Sequence, residues 1–332
     1  MQYRKFGRTG LTVSSLCLGT GTFGTQTDEA EARRILDAAA DGGITFLDTA
    51  DIYPPGGIGF EAIGRSEEII GRWLKGRRGS VVVGSKAGGE MGPAAWDRGA
   101  SRKHLLDAIE ATLRRLDTDY VDLYQIHMDD PQTPLDEMAE AMDAIVRAGK
   151  ARYIGVSNFL AYRLARALGR QDVLRLTRFA SVQPRYNLLF REIERELLPL
   201  AREEGIAVTP YNPLAGGLLT GKYRLDDNPD KGRFSGEFGQ FGAMYKARYW
   251  QRREFETIAA LEEMARKADM TLPTLAVAWI LANPTMSSVI LGASRASQLG
   301  PTLAAAGHDL SPALKAELDE ITADYRRGDV GK

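Results

Sequence analysis

Residues 18–24 read LGTGTFG, and within them Gly19-Thr20-Gly21-Thr22-Phe23-Gly24 fits G-x-G-x-x-G. The apolar run Ser15–Leu18 precedes the motif, an amphipathic helical pattern follows it, and Asp48 ends the next apolar run. In an open dinucleotide-binding sheet the third glycine lies inside the opening helix and packs it on the sheet. Here GTQTD separates Gly24 from the helix start. The third glycine therefore belongs to a loop, and the rest of the chain must decide the fold.

Outward from this stretch, short runs of apolar and β-branched residues recur. They are Ser15–Leu18, Ile44–Leu47, Val81–Val83, Tyr120–Ile126, Tyr153–Val156, Ala180–Val182, Ile206–Val208 and Ser288–Leu291. Between them Asp28–Ala40, Ser66–Leu74, Arg102–Leu116, Pro134–Ala148, Ala161–Leu168, Glu192–Glu204 and Phe255–Ala268 carry apolar residues at i, i+3, i+4 and i+7, the helical period. Thr27 and Ser101 are the expected N-caps. Alternation of this kind implies parallel strands covered by helices. Eight units fit a (β/α)8 TIM barrel better than a six-stranded open sheet, so the Rossmann reading is rejected.

No Pro/Gly/Ser-rich linker divides the units, and residues 1–332 are expected to form one domain. YRKFGRTGLTVSS, ahead of the first run, reads as a hairpin turning at Gly7 and Gly10. Asn212–Arg253 has no clear apolar period and reads as a long loop after the seventh strand, a length usually functional or mobile. Ser311–Arg327 reads as a last amphipathic helix.

Of 332 residues, 44% are hydrophobic and 26% charged, with net charge −1, so no basic excess points to nucleic acid. The N-terminus lacks the apolar stretch of a signal peptide, and no run approaches the roughly 20 residues of a spanning helix. A cytoplasmic protein is expected. Cys17 is the only cysteine and reads as a small core residue. No metal is expected, because the three histidines show no ligand spacing. His104 and His308 read as surface residues.

The strand runs end in polar residues: Asp48, Ser85-Lys86, His127, Ser157-Asn158, Gln183, Tyr211-Asn212 and Ser294-Arg295. A barrel brings these ends to one rim, the face where barrel active sites lie.

FLDTADIY, VGSKA, LYQIHMDD, IGVSNF, SVQPRYN, YNPLAGGLLTGKY and ILGASRASQL stand in this order, and together they resemble the aldo-keto reductase superfamily from the hairpin to the last helix. YNPLAGGLLTGKY followed by GRF is most similar to the aflatoxin-aldehyde/succinic-semialdehyde reductase branch. The resemblance implies reduction of a small-molecule carbonyl compound by NADP(H), with Asp48, Tyr53, Lys86 and His127 as the catalytic tetrad. Side chains supply no hydride, so the nicotinamide must. Tyr53 is the implied proton donor. Moving a phenol from a pKa near 10 to about 7 takes roughly 4 kcal/mol. One cation about 4 Å away at an effective dielectric near 20 is worth about that, so Lys86 is expected to lower Tyr53. Asp48 would hold Lys86, and His127 would orient the carbonyl oxygen.

The same resemblance places Gly21, Thr22 and Phe23 beside cofactor and substrate, with Phe23 lining an apolar pocket wall. It puts Ser157, Asn158 and Gln183 on the nicotinamide carboxamide and Tyr211 on the ring. Asn212, Pro213, Leu214, Ala215, Gly216, Gly217 and Leu218 would wrap the pyrophosphate, with Lys222 and Arg233 adding charge. Gly292, Ala293, Ser294, Arg295 and Gln298 would hold the adenosine end. Two departures stand out: Thr302 where many members have asparagine, and the longer PPGGIGFEAIG between Tyr53 and Ser66. MYKARYWQRR (Met244–Arg253) reads either as a substrate-selecting lid or as a solvated helix. A cofactor-binding regulatory subunit with little turnover stays open as the alternative, and oligomeric state is not fixed.

Overall fold

The computed structural model describes residues 1–55, 59–236 and 239–327. Strands β1 (Tyr3–Lys5) and β2 (Thr12–Ser14) pair antiparallel, Tyr3 against Ser14. They form the expected hairpin. Eight parallel strands follow: β3 (Leu16–Gly19), β4 (Phe46–Asp48), β5 (Val82–Ala87), β6 (Val121–Ile126), β7 (Ala151–Ser157), β8 (Phe179–Gln183), β9 (Ala207–Val208) and β10 (Val289–Gly292). Their order is β10-β3-β4-β5-β6-β7-β8-β9. The two ends meet through Ser287 N–H to Val208 C=O (2.8 Å) and Ile290 N–H to Pro210 C=O (2.9 Å). The sheet thus curls into the expected (β/α)8 barrel.

Helices α1 (Glu29–Asp41), α2 (Arg65–Leu74), α3 (Arg102–Leu116), α4 (Leu135–Arg147), α5 (Ala161–Val173) and α6 (Leu197–Glu204) cover the outside. Then come α7 (Gly239–Tyr249), α8 (Arg252–Lys267), α9 (Leu272–Leu281), α10 (Leu299–Ala304), α11 (Pro312–Ile321) and α12 (Asp324–Arg327). Ser101 caps α3 as expected, but Asp28 rather than Thr27 caps α1, accepting from the Glu31 amide at 2.8 Å. Thr27 is buried and its hydroxyl reaches Ser294 C=O. Asn212–Arg253 is less irregular than its sequence suggests. α7 lies within it, and Tyr245 and Tyr249 are buried there. They join an aromatic cluster with Tyr223, Phe234 and Trp250, whose rings stand 5.0–6.4 Å apart.

The barrel interior is layered by the period-two alternation of strands. Cys17, Phe46, Leu123, Ala207 and Ile290 form an apolar floor, which Phe6 of the hairpin plugs edge-on to Phe46 at 6.0 Å. Two residues further along, several strands present polar side chains inward. Phe46 gives way to Asp48, Leu123 to Gln125, Ser181 to Gln183 and Ala207 to Thr209. Gly155 is required at this level, because a Cβ would collide with Ser181 Oγ. Among the described residues no helix is long and apolar enough to cross a membrane.

Candidate active site

The polar layer opens at the C-terminal mouth of the barrel. Register pairs Asp48 with Gly84, and Lys86, two residues further along β5 and opposite Gln125, reaches across to the acid. Lys86 is wholly buried and Asp48 nearly so. Lys86 Nζ donates to Asp48 Oδ2 at 2.6 Å and to Thr49 C=O at 2.7 Å. Asp48 Oδ1 accepts from Gln183 Nε2 at 2.8 Å, with Gln125 Nε2 at 3.4 Å. Burial alone would lower the lysine, but Asp48 and Tyr53 outweigh it, and Lys86 titrates above its ordinary value.

Tyr53 and His127 stand above this pair. Their rings meet edge to face at 5.6 Å, and Lys86 Nζ lies 5.1 Å from the centre of the tyrosine ring. Gly21 keeps the adjacent wall thin, since a Cβ there would already touch the Tyr53 ring at 3.6 Å. Burial, then the Lys86 charge, push His127 down to about 3. The imidazole is therefore neutral and offers an N–H without carrying a cation. Tyr53 departs from the sequence expectation. Burial is the largest influence and raises it, Lys86 pulls it down, Asp48 opposes that pull, and the net direction is upward from 10. Lys86 does not act alone, because its counterion is 2.6 Å away.

The residues expected around the cofactor also converge. Ser157 Oγ donates to Gln183 C=O (2.9 Å), and Asn158 Nδ2 donates to His127 C=O (2.9 Å). Tyr211 OH donates to Asn158 Oδ1 at 2.8 Å. After Tyr211 the chain makes successive left-handed turns at Asn212, Ala215, Gly216 and Gly217, with φ of 63°, 48°, 74° and 101°. Asn212 Oδ1 clamps the turn through the Gly216 amide at 2.6 Å. No heavy atom lies within 4 Å of a Cβ built on Gly217, so this backbone is open to a ligand, as a phosphate cradle requires. Pro213 and Leu218 are buried beneath it, Leu214 is partly exposed, and Lys222 stands exposed at its end. Arg233 donates to Tyr245 OH at 2.6 Å and approaches the Cβ position of Gly292 at 3.8 Å, bridging the long loop to β10. Thr22 ties the first loop to the same strand end through Ala293 C=O at 3.0 Å.

Two expectations, for Phe23 and for His104, need correction. Phe23 is not a pocket wall; it is fully buried in the main core. Thr302 turns its hydroxyl onto Leu299 C=O (2.9 Å) and is buried, so it faces its own helix. Gln298 Oε1 is engaged by the amides of Ser294 (2.9 Å) and Arg295 (3.3 Å), shaping the loop that presents Arg295. His104 is buried on α3, whereas His308 is exposed as expected. Of the insertion after Tyr53, Gly56, Gly57 and Ile58 lie outside the described residues. Sequence reasoning missed Gln125, two residues before His127 on the inward face of β6, and the Thr49 carbonyl, which no side-chain pattern reveals. Among the described residues no group of three or more His, Cys, Asp or Glu is placed to hold a metal.

A buried Lys–Asp pair thus lies under a tyrosine and a neutral histidine at the mouth of a (β/α)8 barrel. Residues 15–323 match the Aldo/keto reductase family. The chain is 39% identical to a probable voltage-gated potassium channel subunit beta of Arabidopsis thaliana, over 95% of this chain and 93% of that one. It is 38% identical to an uncharacterized oxidoreductase, YrpG, of Bacillus subtilis, over 97% and 96%. An L-glyceraldehyde 3-phosphate reductase of Escherichia coli is 33% identical, over 98% and 93%. The chain belongs to the aldo/keto reductase family, and with it to the NADP-dependent oxidoreductases.

Proposed function

We propose that this protein reduces an aldehyde or ketone to the alcohol with NADPH, and that Tyr53 supplies the proton. The observation that carries the reading is the stack of Lys86–Asp48 beneath Tyr53 and His127, with its 2.6, 5.1 and 5.6 Å spacings. Bound NADPH supplies the hydride. His127, neutral, donates its N–H to the carbonyl oxygen and orients it toward Tyr53. The phenol keeps its proton until negative charge develops on that oxygen, then transfers it. Lys86 stabilises the phenolate left behind. Asp48, held by Gln183, keeps Lys86 in place.

Ser157, Asn158 and Gln183 offer amide and hydroxyl groups suited to a carboxamide. The open turn at Gly216–Gly217, with Lys222 and Arg233, suits the pyrophosphate. Arg295 is exposed and, among the described residues, in no salt bridge. It suits the 2′-phosphate that distinguishes NADPH from NADH. Glu31, in the first turn of α1, reaches this loop, but it accepts from the Ala296 amide (2.7 Å) and pairs with Arg34 (2.6 Å), which leaves Arg295 available.

Tyr53→Phe tests this. Turnover of a generic aldehyde should fall by about 10²–10⁴, while NADPH binding, followed by fluorescence, stays within about twofold. Similarity to the channel subunits motivates the second reading, a cofactor-binding regulatory protein with little turnover. Wild-type protein that binds NADPH but reduces no member of a panel of aldehydes, dicarbonyls and keto-sugars would favour it.

A further inference from the structure

Arg185 follows Gln183 and Pro184 at the end of β8, and the mechanism above gives it no task. It bridges to Tyr211 in parallel register, with Tyr211 N–H on Pro184 C=O at 2.9 Å. Residues in register on neighbouring strands project to the same side, about 5 Å apart at the backbone. Arg185 therefore leaves the barrel rim on the same side as Tyr211, close enough for its charge to act on that phenol. It is held there by aromatic faces, with Cζ 3.5 Å from the centre of the Phe190 ring and 5.8 Å from that of Tyr249. Such contacts fix a cation without neutralising it. Among the described residues neither Arg185 nor Arg248 forms a salt bridge, and both bear on Tyr211. Arg185 is only partly exposed, so salt screens it incompletely. The nearby tyrosines are engaged as neutral hydroxyls, Tyr211 on Asn158 and Tyr249 with Asn187 and Asn212. Lys86, deeper in the mouth, has its own counterion. The surroundings of Tyr211 thus carry uncompensated positive charge.

We propose that Arg185 is a positioning residue that biases the bound cofactor toward its reduced form, because its charge beside Tyr211 disfavours the cationic nicotinamide of NADP⁺ and spares the neutral ring of NADPH. The inference rests on the reading that Tyr211 is the plate on which that ring stacks. The two redox forms share every other group, so Lys222, Arg233 and Arg295 at the phosphates raise affinity for both alike. Only a charge at the ring end separates them. Two unit charges about 8 Å apart at an effective dielectric near 40 correspond to a factor of about five. For a two-electron couple that shifts the bound cofactor by about 20 mV relative to a chain lacking the charge.

The test is titration of the full chain with NADPH and with NADP⁺ separately, no carbonyl compound present, by calorimetry or tryptophan fluorescence. In Arg185→Gln the ratio Kd(NADP⁺)/Kd(NADPH) should fall about fivefold, mainly through tighter NADP⁺. Arg185→Lys should keep the wild-type ratio. Arg185→Met retains the unbranched stem against Phe190 and Tyr249, and gives the same reading if the glutamine variant folds poorly. An unchanged ratio in a folded neutral variant overturns the proposal. Equal weakening of both nucleotides overturns it too, because a purely structural role has that signature. If wild-type protein binds neither nucleotide, the cofactor reading itself fails and this inference falls with it. If both bind and only the ratio is insensitive, the cofactor reading stands and Arg185 has no part in it.

Discussion

Replacing Asp48 with asparagine preserves shape and removes one charge, so its consequences can be worked from the contacts. Asp48 accepts from Lys86 at 2.6 Å and from Gln183 at 2.8 Å. An asparagine oxygen serves one of these donors, and its NH2 faces the other. Lys86, wholly buried, is left with Thr49 C=O as its acceptor. Breaking a buried ion pair by deleting one partner costs about 3–5 kcal/mol. Unfolding entropy near 2.1 cal/mol/K per residue gives about 0.7 kcal/mol/K for a chain this long, so Tm should drop by about 4–7 °C. The pH dependence carries the sharper signature. With Asp48 present, Lys86 titrates above its ordinary value. That stability is fully present below the unfolded pKa of about 10.4 and lost as pH rises through the folded one. Without Asp48, burial dominates and the folded pKa falls below the unfolded value. Stability of the variant is then lost as pH falls through that window. The gap between wild type and Asp48→Asn should therefore be wide at pH 6 and narrow toward pH 10, in thermal melts at fixed ionic strength. Adding Lys86→Met should restore about 2 kcal/mol relative to additivity, a coupling expected for groups in contact. Additive losses with no pH dependence would show that the pair is not an ion pair and would refute the reasoning.

Asp51 is buried with neither carboxylate oxygen bonded, and burial followed by Glu67 pushes it well above its ordinary value. The folded chain holds that proton longer than the unfolded one, so Asp51 makes stability fall as pH rises from about 4, by up to about 1.4 kcal/mol per pH unit. Asp51→Asn should flatten that slope in urea titrations at pH 4.5, 6 and 8. Cys17, buried with its thiol pushed well up, should resist iodoacetamide in the native protein and react once denatured; fast native labelling would place it elsewhere. Arg295→Ala should weaken NADPH by about 10- to 150-fold, the worth of one charge-assisted contact, and leave NADH nearly unchanged; equal weakening of both would unseat the 2′-phosphate assignment. Reduction should hold a level rate from pH 6 to 9, since Tyr53 is raised and His127 lowered to about 3; a limb centred near 7 that disappears in Tyr53→Phe would contradict this.

The barrel was legible because parallel strands buried on both faces read as short apolar runs, and each run ended in a polar residue. What escaped had physical reasons. α9 is almost wholly apolar and, Pro273 apart, buried along its length, so it carries no amphipathic period to detect. α7 has aromatic and charged residues on all faces, yet Tyr245 and Tyr249 pack inward through rings supplied by Tyr223, Phe234 and Trp250, brought from the same loop. Thr27 lost its capping role because Asp28, one residue later, is an equally good cap and leaves Thr27 free to bond Ser294. His104 looked like a surface residue because it lies in the first turn of α3. The loop before α3 brings the Trp96 carbonyl and the Asp97 charge to it, and that approach is a matter of loop path.

The direction of Tyr53 bears most on how the site works. A lone lysine beside the phenol would depress it, but burial, the largest influence on Lys86, would weaken a lone lysine's own hold on its proton. Asp48 resolves this by keeping Lys86 charged, and in doing so it cancels much of the pull on the resting phenol. The pair is neutral overall but oriented. Its anionic end is tied to Gln183 and Gln125, and its cationic end lies 5.1 Å from the Tyr53 ring. Such a dipole does little for a protonated phenol and offsets part of the burial cost of the phenolate. The stabilisation therefore grows as the proton leaves, which is where it lowers a barrier rather than merely shifting a ground state. A depressed resting pKa is not needed for that, and for a proton donor it would be a disadvantage, because part of the protein would hold Tyr53 already deprotonated at neutral pH.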